Sequence, residues 1–90
     1  MPIVGADVPA LRNLVNVLTG RARRIETTKN QMTALILDLP WVGPDRDRFV
    51  AEWNEIHHPN LIRLIDDMTD ASGQAARHAD AQEAASRGTA

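Results

Sequence analysis

The sequence contains no cysteine and no tyrosine, and aromatic residues make up only 3% of the chain. Without cysteine, the protein can form neither a disulfide framework nor a cysteine-based zinc site. The 10 Lys and Arg residues are outnumbered by 12 Asp and Glu. This acidic balance disfavours nucleic-acid binding, which depends on basic side chains at the phosphates. No apolar run approaches the ~18 residues of a membrane span, so we expect no membrane insertion.

What the chain does contain is apolar surface: 43% of its 90 residues are hydrophobic, which is too many for a disordered segment. Its length allows one small domain. The opening stretch, residues 1–9, has no Lys or Arg ahead of an uninterrupted apolar core, so we expect no cleaved secretory signal. Composition therefore predicts an ordered, mainly helical protein with more apolar surface than a chain of this size can bury alone.

Heptad-spaced apolar residues predict a first helix over about 7–39. Asp7 is a plausible N-cap, Pro9 fits the first turn, and Pro40 ends the helix. Sustained spacing of this kind is typical of a helix built to pack along another long helix. One row contains Leu11, Leu18, Ile25, Met32 and Leu39, and the second contains Val8, Val15, Ala22, Lys29 and Ile36, with the lysine its only charged member.

Residues 40–44 predict a tight turn, because Gly43 accepts a positive φ and Pro44 suits the first position of a helix. A second helix is predicted over about 45–85, with a kink near Pro59 or, alternatively, a break there. Its apolar side chains shrink to alanine toward the C-terminus, so we expect packing to weaken in that direction. Short flexible tails are predicted at 1–6 and 86–90.

The predicted fold is all-α: an antiparallel two-helix hairpin, forming a single domain over 1–90. Both apolar stripes are wider than one seam, so two hairpins are expected to pair into a four-helix bundle, with a second copy or a different chain as partner. The residues predicted for the core and the dimer contact are Leu11, Val15, Leu18, Ile25, Met32, Ile36, Phe49, Trp53, Ile56, Leu61, Leu64 and Met68.

No constellation predicts an enzyme, a cofactor or a metal site. His57 and His58 are adjacent, whereas a helical metal site uses i and i+4 spacing. The acidic residues at 66, 67 and 70 lack the glycine and the terminal glutamate of a calcium loop and predict a solvated face. The basic cluster at 21, 23, 24 and 29 predicts either an exposed face paired with acidic groups or an anionic-ligand patch.

Around the turn, the sequence resembles a known family. A Trp-x-Gly turn formed by Trp41 and Gly43 between two long helices, in a chain of this size, is the layout of the WXG family of small type VII (ESX) secretion proteins. Phe49 and Trp53 resemble aromatic residues that members often carry after the turn. The His58–Pro59 step and the segment 76–86 are similar to actinobacterial, early secreted antigenic target-like members.

The resemblance implies a helical-hairpin homodimer or a heterodimer with a paralogous WXG-type chain. It also implies export in folded form from the cytoplasm, without a cleaved signal peptide, through a membrane-embedded machine whose ATPase is a partner. Members serve as secreted effectors or as targeting partners. Many carry a Tyr-x-x-x-Asp/Glu export signal after the second helix; this chain has no tyrosine, and His78 with Gln82 holds the spacing as a degenerate export tail.

Two alternatives remain open from the residues alone. The first is a cytosolic helical adaptor or chaperone-like interaction module that is never exported, which the missing tyrosine favours. The second is a nucleic-acid binder that uses the basic cluster, although no aromatic residue is interleaved there to stack on bases. Homodimer and heterodimer are equally compatible with the pattern.

Overall fold

A computed structural model describes residues 7–88, and within that range the chain is an all-α antiparallel hairpin, which confirms the predicted fold class. Helix α1 is Val8–Asp38, α2 is Pro44–Glu52, and α3 is His58–Gly88, with a π-helical turn at Trp53–His57 joining α2 to α3. The molecule is a rod of 69 × 17 × 16 Å. The tails predicted at 1–6 and 89–90 lie outside the described residues.

Helix α1 begins and ends where backbone chemistry dictates. The Asp7 carbonyl accepts the Leu11 N–H at 2.9 Å, but the Asp7 side chain makes no capping hydrogen bond. At the other end, Leu39 is extended (φ −61°, ψ 129°), as expected for a residue that precedes proline. The helix therefore starts without a side-chain cap and is stopped by Pro40.

The turn depends on Gly43, the only described residue with a positive φ. Its φ of 121° and ψ of 178° belong to a region that essentially only glycine occupies. The Gly43 carbonyl accepts the Asp47 N–H at 3.1 Å and so starts α2. Asp45 and Asp47 lie in the first turn, where their negative charge is favourable at the positive end of the helix dipole.

Pro59 does not break the second helix, so the break considered from the sequence is wrong. The chain passes from α2 to α3 through the π turn, in which the His58 N–H donates to the Trp53 carbonyl five residues back. This turn takes up one extra residue: Trp53 and Leu61 are eight apart, whereas Leu61 and Met68 are seven apart. Helix packing therefore continues in phase on both sides of the proline.

The buried seam follows the second α1 row, with Ala22, Lys29 and Ile36 as its most buried members. Contrary to the expected weakening toward the C-terminus, the alanine end is the most tightly packed part of the rod. Ala79 is fully buried and Ala75 is 6% exposed. Small side chains let the two helix backbones approach each other, so the change from aromatic to methyl closes the seam instead of loosening it.

This end of the rod also carries the ion pairs that link the two helices. The Arg12 guanidinium donates to Asp80 at 2.7 Å and to Glu83 at 3.0 Å. These hydrogen bonds raise the pKa of Arg12 above its usual value. Helix α3 continues to Gly88, where a frayed tail from Ser86 was predicted.

Candidate interaction surface

The Trp41–Gly43 turn forms one end of the rod. The Trp41 ring lies 5.8 Å from the Phe49 ring at an interplanar angle of 49°, a tilted aromatic pair that connects the turn to α2. Trp41 is still 40% exposed, and Val42 is 90% exposed. The turn is thus held by an aromatic contact on one side and presents apolar surface to solvent on the other.

Trp53 fixes the second helix to the first one just below the turn. It is 5% exposed, and its indole N–H donates to the Thr33 hydroxyl at 3.1 Å. The Thr33 hydroxyl in turn donates to the Lys29 carbonyl at 3.0 Å. The rings of His57 and His58 lie 6.4 Å and 6.1 Å from the indole, so the π turn surrounds this tryptophan.

The residues predicted for the core and dimer contact divide by burial. Two are buried, and six are half-buried along the seam. The remaining four are exposed on the hairpin. In that order, they are Ile36 and Trp53; Leu11, Val15, Leu18, Ile25, Leu61 and Met68; and Met32, Phe49, Ile56 and Leu64. The hairpin alone therefore covers only part of the predicted apolar stripe.

Two adjoining grooves run along one side of the rod and share Met32 and Leu61. The groove nearer the turn has a volume of about 560 Å³ and is also lined by Phe49, Trp53, His57, Asn60 and Leu64. The groove farther from the turn has a volume of about 370 Å³ and is also lined by Arg21, Arg24, Ile25, Thr28 and Lys29. We call this side, defined by Ile25, Met32, Phe49, Leu61 and Leu64, the apolar face.

Helical spacing extends the apolar face along α1. Leu14, Arg21, Thr28 and Leu35 are each seven apart, and the middle two line the groove. Leu14 and Leu35, both exposed, therefore continue the same strip above and below it. The whole chain exposes 6754 Å², whereas a compact monomer of 9.9 kDa exposes about 5,200 Å². This excess is of the order that one partner buries in a standard protein interface.

The basic cluster does not form a single patch. Arg21 and Arg24 border the apolar face, whereas Arg23 lines a groove that also contains Ala22, on the other side of the seam. Lys29 is buried in the seam, where its ammonium lies 3.1 Å from the Asn30 amide oxygen and 3.5 Å from a Glu26 carboxylate oxygen. Two arginines on one face are a small electrostatic footprint for a phosphate backbone.

The remaining predicted features are separate from the apolar face. Asp66, Asp67 and Asp70 are exposed on α3. His78 is exposed and Gln82 is half-buried on the same helix, one turn apart. Between residues 7 and 88, no group of three His, Cys, Asp or Glu side chains is arranged to hold a metal ion.

Sequence reasoning missed the polar contacts inside the seam. The Thr19 and Ser72 hydroxyls lie 3.0 Å apart across the two helices, and Ser72 also lies 3.5 Å from the Val15 carbonyl. In the described range, no buried side-chain nitrogen or oxygen lacks a hydrogen-bond partner. The available signal was positional, because Ser72 is seven residues from both Ile65 and Ala79 and therefore falls in a seam row.

Neither helix, over residues 7–88, has a stretch both long and apolar enough to span a bilayer. No protein-family model, curated protein or solved structure matches the chain. Function is therefore argued from the turn, the two helices and the apolar face.

Proposed function

We propose that this chain is a non-enzymatic substrate or targeting partner of a type VII (ESX) secretion system, acting as a helical hairpin paired with a second hairpin. The observation that carries the proposal is the turn: Trp41 packs on Phe49, and Gly43 has the positive φ of 121° that reverses the chain between two long helices. This is the Trp-x-Gly layout of the WXG proteins that the sequence resembles. The uncovered apolar face supports pairing with another hairpin.

Export is tested by deleting the secretion ATPase of the native host. The protein is expected in the culture supernatant of the parent strain and is expected to remain in the cells of the deletion strain. A cytosolic protein measured in both fractions controls for lysis. Undiminished export without the ATPase would contradict the proposal.

The role of the turn is tested by three variants. Trp41→Ala removes the ring contact with Phe49, and Gly43→Arg forces a side chain onto a backbone conformation that favours glycine. Both are expected to lower export and thermal stability. Val42→Ala is the matched control, because Val42 lies between them and is almost fully exposed. Equal export of all three variants would remove the turn from the proposal.

The second candidate function is a cytosolic helical adaptor or chaperone-like module. The absence of tyrosine favours it, because the Tyr-x-x-x-Asp/Glu signal of many WXG proteins is then missing. His78 and Gln82 hold that spacing on α3, so His78→Ala with Gln82→Ala separates the two candidates. Reduced export of this double variant favours a degenerate signal read from this chain. Absence of the unmodified protein from the supernatant, with the paralogous partner co-expressed, favours the adaptor.

A further inference from the structure

Two clusters of opposite charge on the surface of the rod have no ionic partner within the hairpin. Arg21 and Arg24 belong to α1, and the aspartates at 66, 67 and 70 belong to α3. Over the part of the chain that the structure describes, none of these five side chains forms a hydrogen bond or an ion pair. Both clusters are therefore available to a partner.

The two clusters lie at the same height on the rod. The hydrogen bond between Thr19 and Ser72, with 3.0 Å between their oxygens, places the middle of α1 beside the middle of α3. A groove of about 400 Å³ between the helices is walled by α1 residues between 19 and 26 and by α3 residues between 65 and 72. The two arginines fall in the first range and the three aspartates in the second.

Both clusters also border the apolar face. Arg21 and Arg24 line its lower groove. On α3, Asn60 lines the upper groove, and Asp67 is seven residues farther on, so it occupies the same strip of the helix. Asp70 lies one turn beyond Asp67. The apolar face thus has a positive edge on α1 and a negative edge on α3.

We infer that the apolar face binds the same face of a second copy of this chain, with the two turns at the same end of the assembly. The inference rests on the hairpin pairing in the proposed function and names the partner. A two-fold axis along the rod puts α1 of one copy over α3 of the other without changing height. Arg21 and Arg24 of each copy then face Asp67 and Asp70 of the other, and leucine and methionine side chains meet between them.

The opposite orientation brings like charges together. Reversing one rod puts α1 on α1, and Arg21 and Arg24 flank the midpoint of Val8–Asp38. It also puts the second helices together, and Asp66 and Asp67 lie at the midpoint of their common span, 44–88. Separating the like charges by one screening length, about 10 Å, takes a slip of roughly seven residues. Such a slip uncovers part of the apolar face.

Orientation is tested with a single cysteine, since the natural sequence has none. Val42→Cys places a spin label on the turn at a residue that is 90% exposed. Pulsed electron–electron distance measurement on the purified protein is expected to give labels within about two rod widths of each other, the rod being 17 Å wide. A label separation approaching the 69 Å length of the rod would overturn the inference.

The charge contacts are tested by reversal and rescue. Arg21→Glu with Arg24→Glu, and separately Asp67→Arg with Asp70→Arg, are each expected to weaken self-association at least tenfold by analytical ultracentrifugation. An equimolar mixture of the two double variants is expected to restore the dimer, because half of its charge contacts are again attractive. Circular dichroism checks that each variant keeps its helix content. A dimer that tolerates either reversal would contradict the assigned contacts.

The outcomes separate this inference from the proposed function. If the purified protein is monomeric and pairs only with a different hairpin, self-pairing is wrong while the secretion role stands. If the parallel dimer forms but export is independent of the secretion ATPase, the inference stands and the secretion role fails.

Discussion

Two glycine-to-alanine substitutions are expected to change stability in opposite directions, although neither added methyl group meets a neighbour. A Cβ built at Gly20 or at Gly43 has no heavy atom within 4 Å outside the local backbone. Gained or lost packing therefore does not contribute. The difference must come from the backbone, which is helical at Gly20 and has φ 121° at Gly43.

The magnitudes follow from those two conformations. Gly20→Ala removes the conformational freedom of glycine from the interior of α1 and should raise the free energy of unfolding by about 0.5–1 kcal/mol. Gly43→Ala forces an L-residue into the region near φ 121°, ψ 178°, and should lower it by about 1–3 kcal/mol. The two variants are therefore expected to differ by roughly 2–4 kcal/mol.

Urea unfolding followed by circular dichroism at 222 nm measures both effects. With an m-value of about 1–3 kcal/mol/M, the two midpoints should lie roughly 1 M or more apart, on either side of the unmodified protein. All samples need the same protein concentration, because the stability of an associating protein depends on it. Equal stability of Gly43→Ala and the unmodified chain would refute the reasoning about the turn.

Three further substitutions probe the seam by the same urea measurement. Trp53→Phe removes the indole donor to the Thr33 hydroxyl and should cost about 1–2 kcal/mol; no loss would mean that the 3.1 Å hydrogen bond is energetically unimportant. Ala79→Leu overfills a fully buried position and should cost about 1–3 kcal/mol, whereas the exposed control Ala81→Leu should change little. Lys29→Met replaces a buried ammonium with an apolar chain of similar length and should gain about 1 kcal/mol; a loss would show that its contacts stabilise the seam.

The heptad rows of α1 were readable from the sequence because a long amphipathic helix repeats one simple pattern. The turn was readable as well, since Pro40, Gly43 and Pro44 each restrict the backbone in a known way. Which of the two α1 rows forms the seam was not readable. Both rows are apolar, and the row that contains the charged Lys29 is the one that is buried.

The alanine end of the second helix shows why side-chain size alone misleads. Small residues reduce apolar area, which suggested weak packing, but they also shorten the distance between helices, as the full burial of Ala79 shows. The interhelical pairs of Arg12 with Asp80 and Glu83 depend on that close approach. Contacts between residues so far apart in sequence require the register of the two helices, which the pattern of one helix does not supply.

The π turn determines which way the end of the rod points. A regular α-helix advances about 100° per residue, so losing the one extra residue between Trp53 and Leu61 would rotate α2 by about that angle relative to α3. Trp53 would then point away from Thr33, and Phe49 would leave the groove that it now lines. The hydrogen bond from His58 to the Trp53 carbonyl thus acts as an angular setting, and a single-residue deletion in this turn would re-aim the aromatic tip of the molecule without altering one side chain in the lower half of the seam.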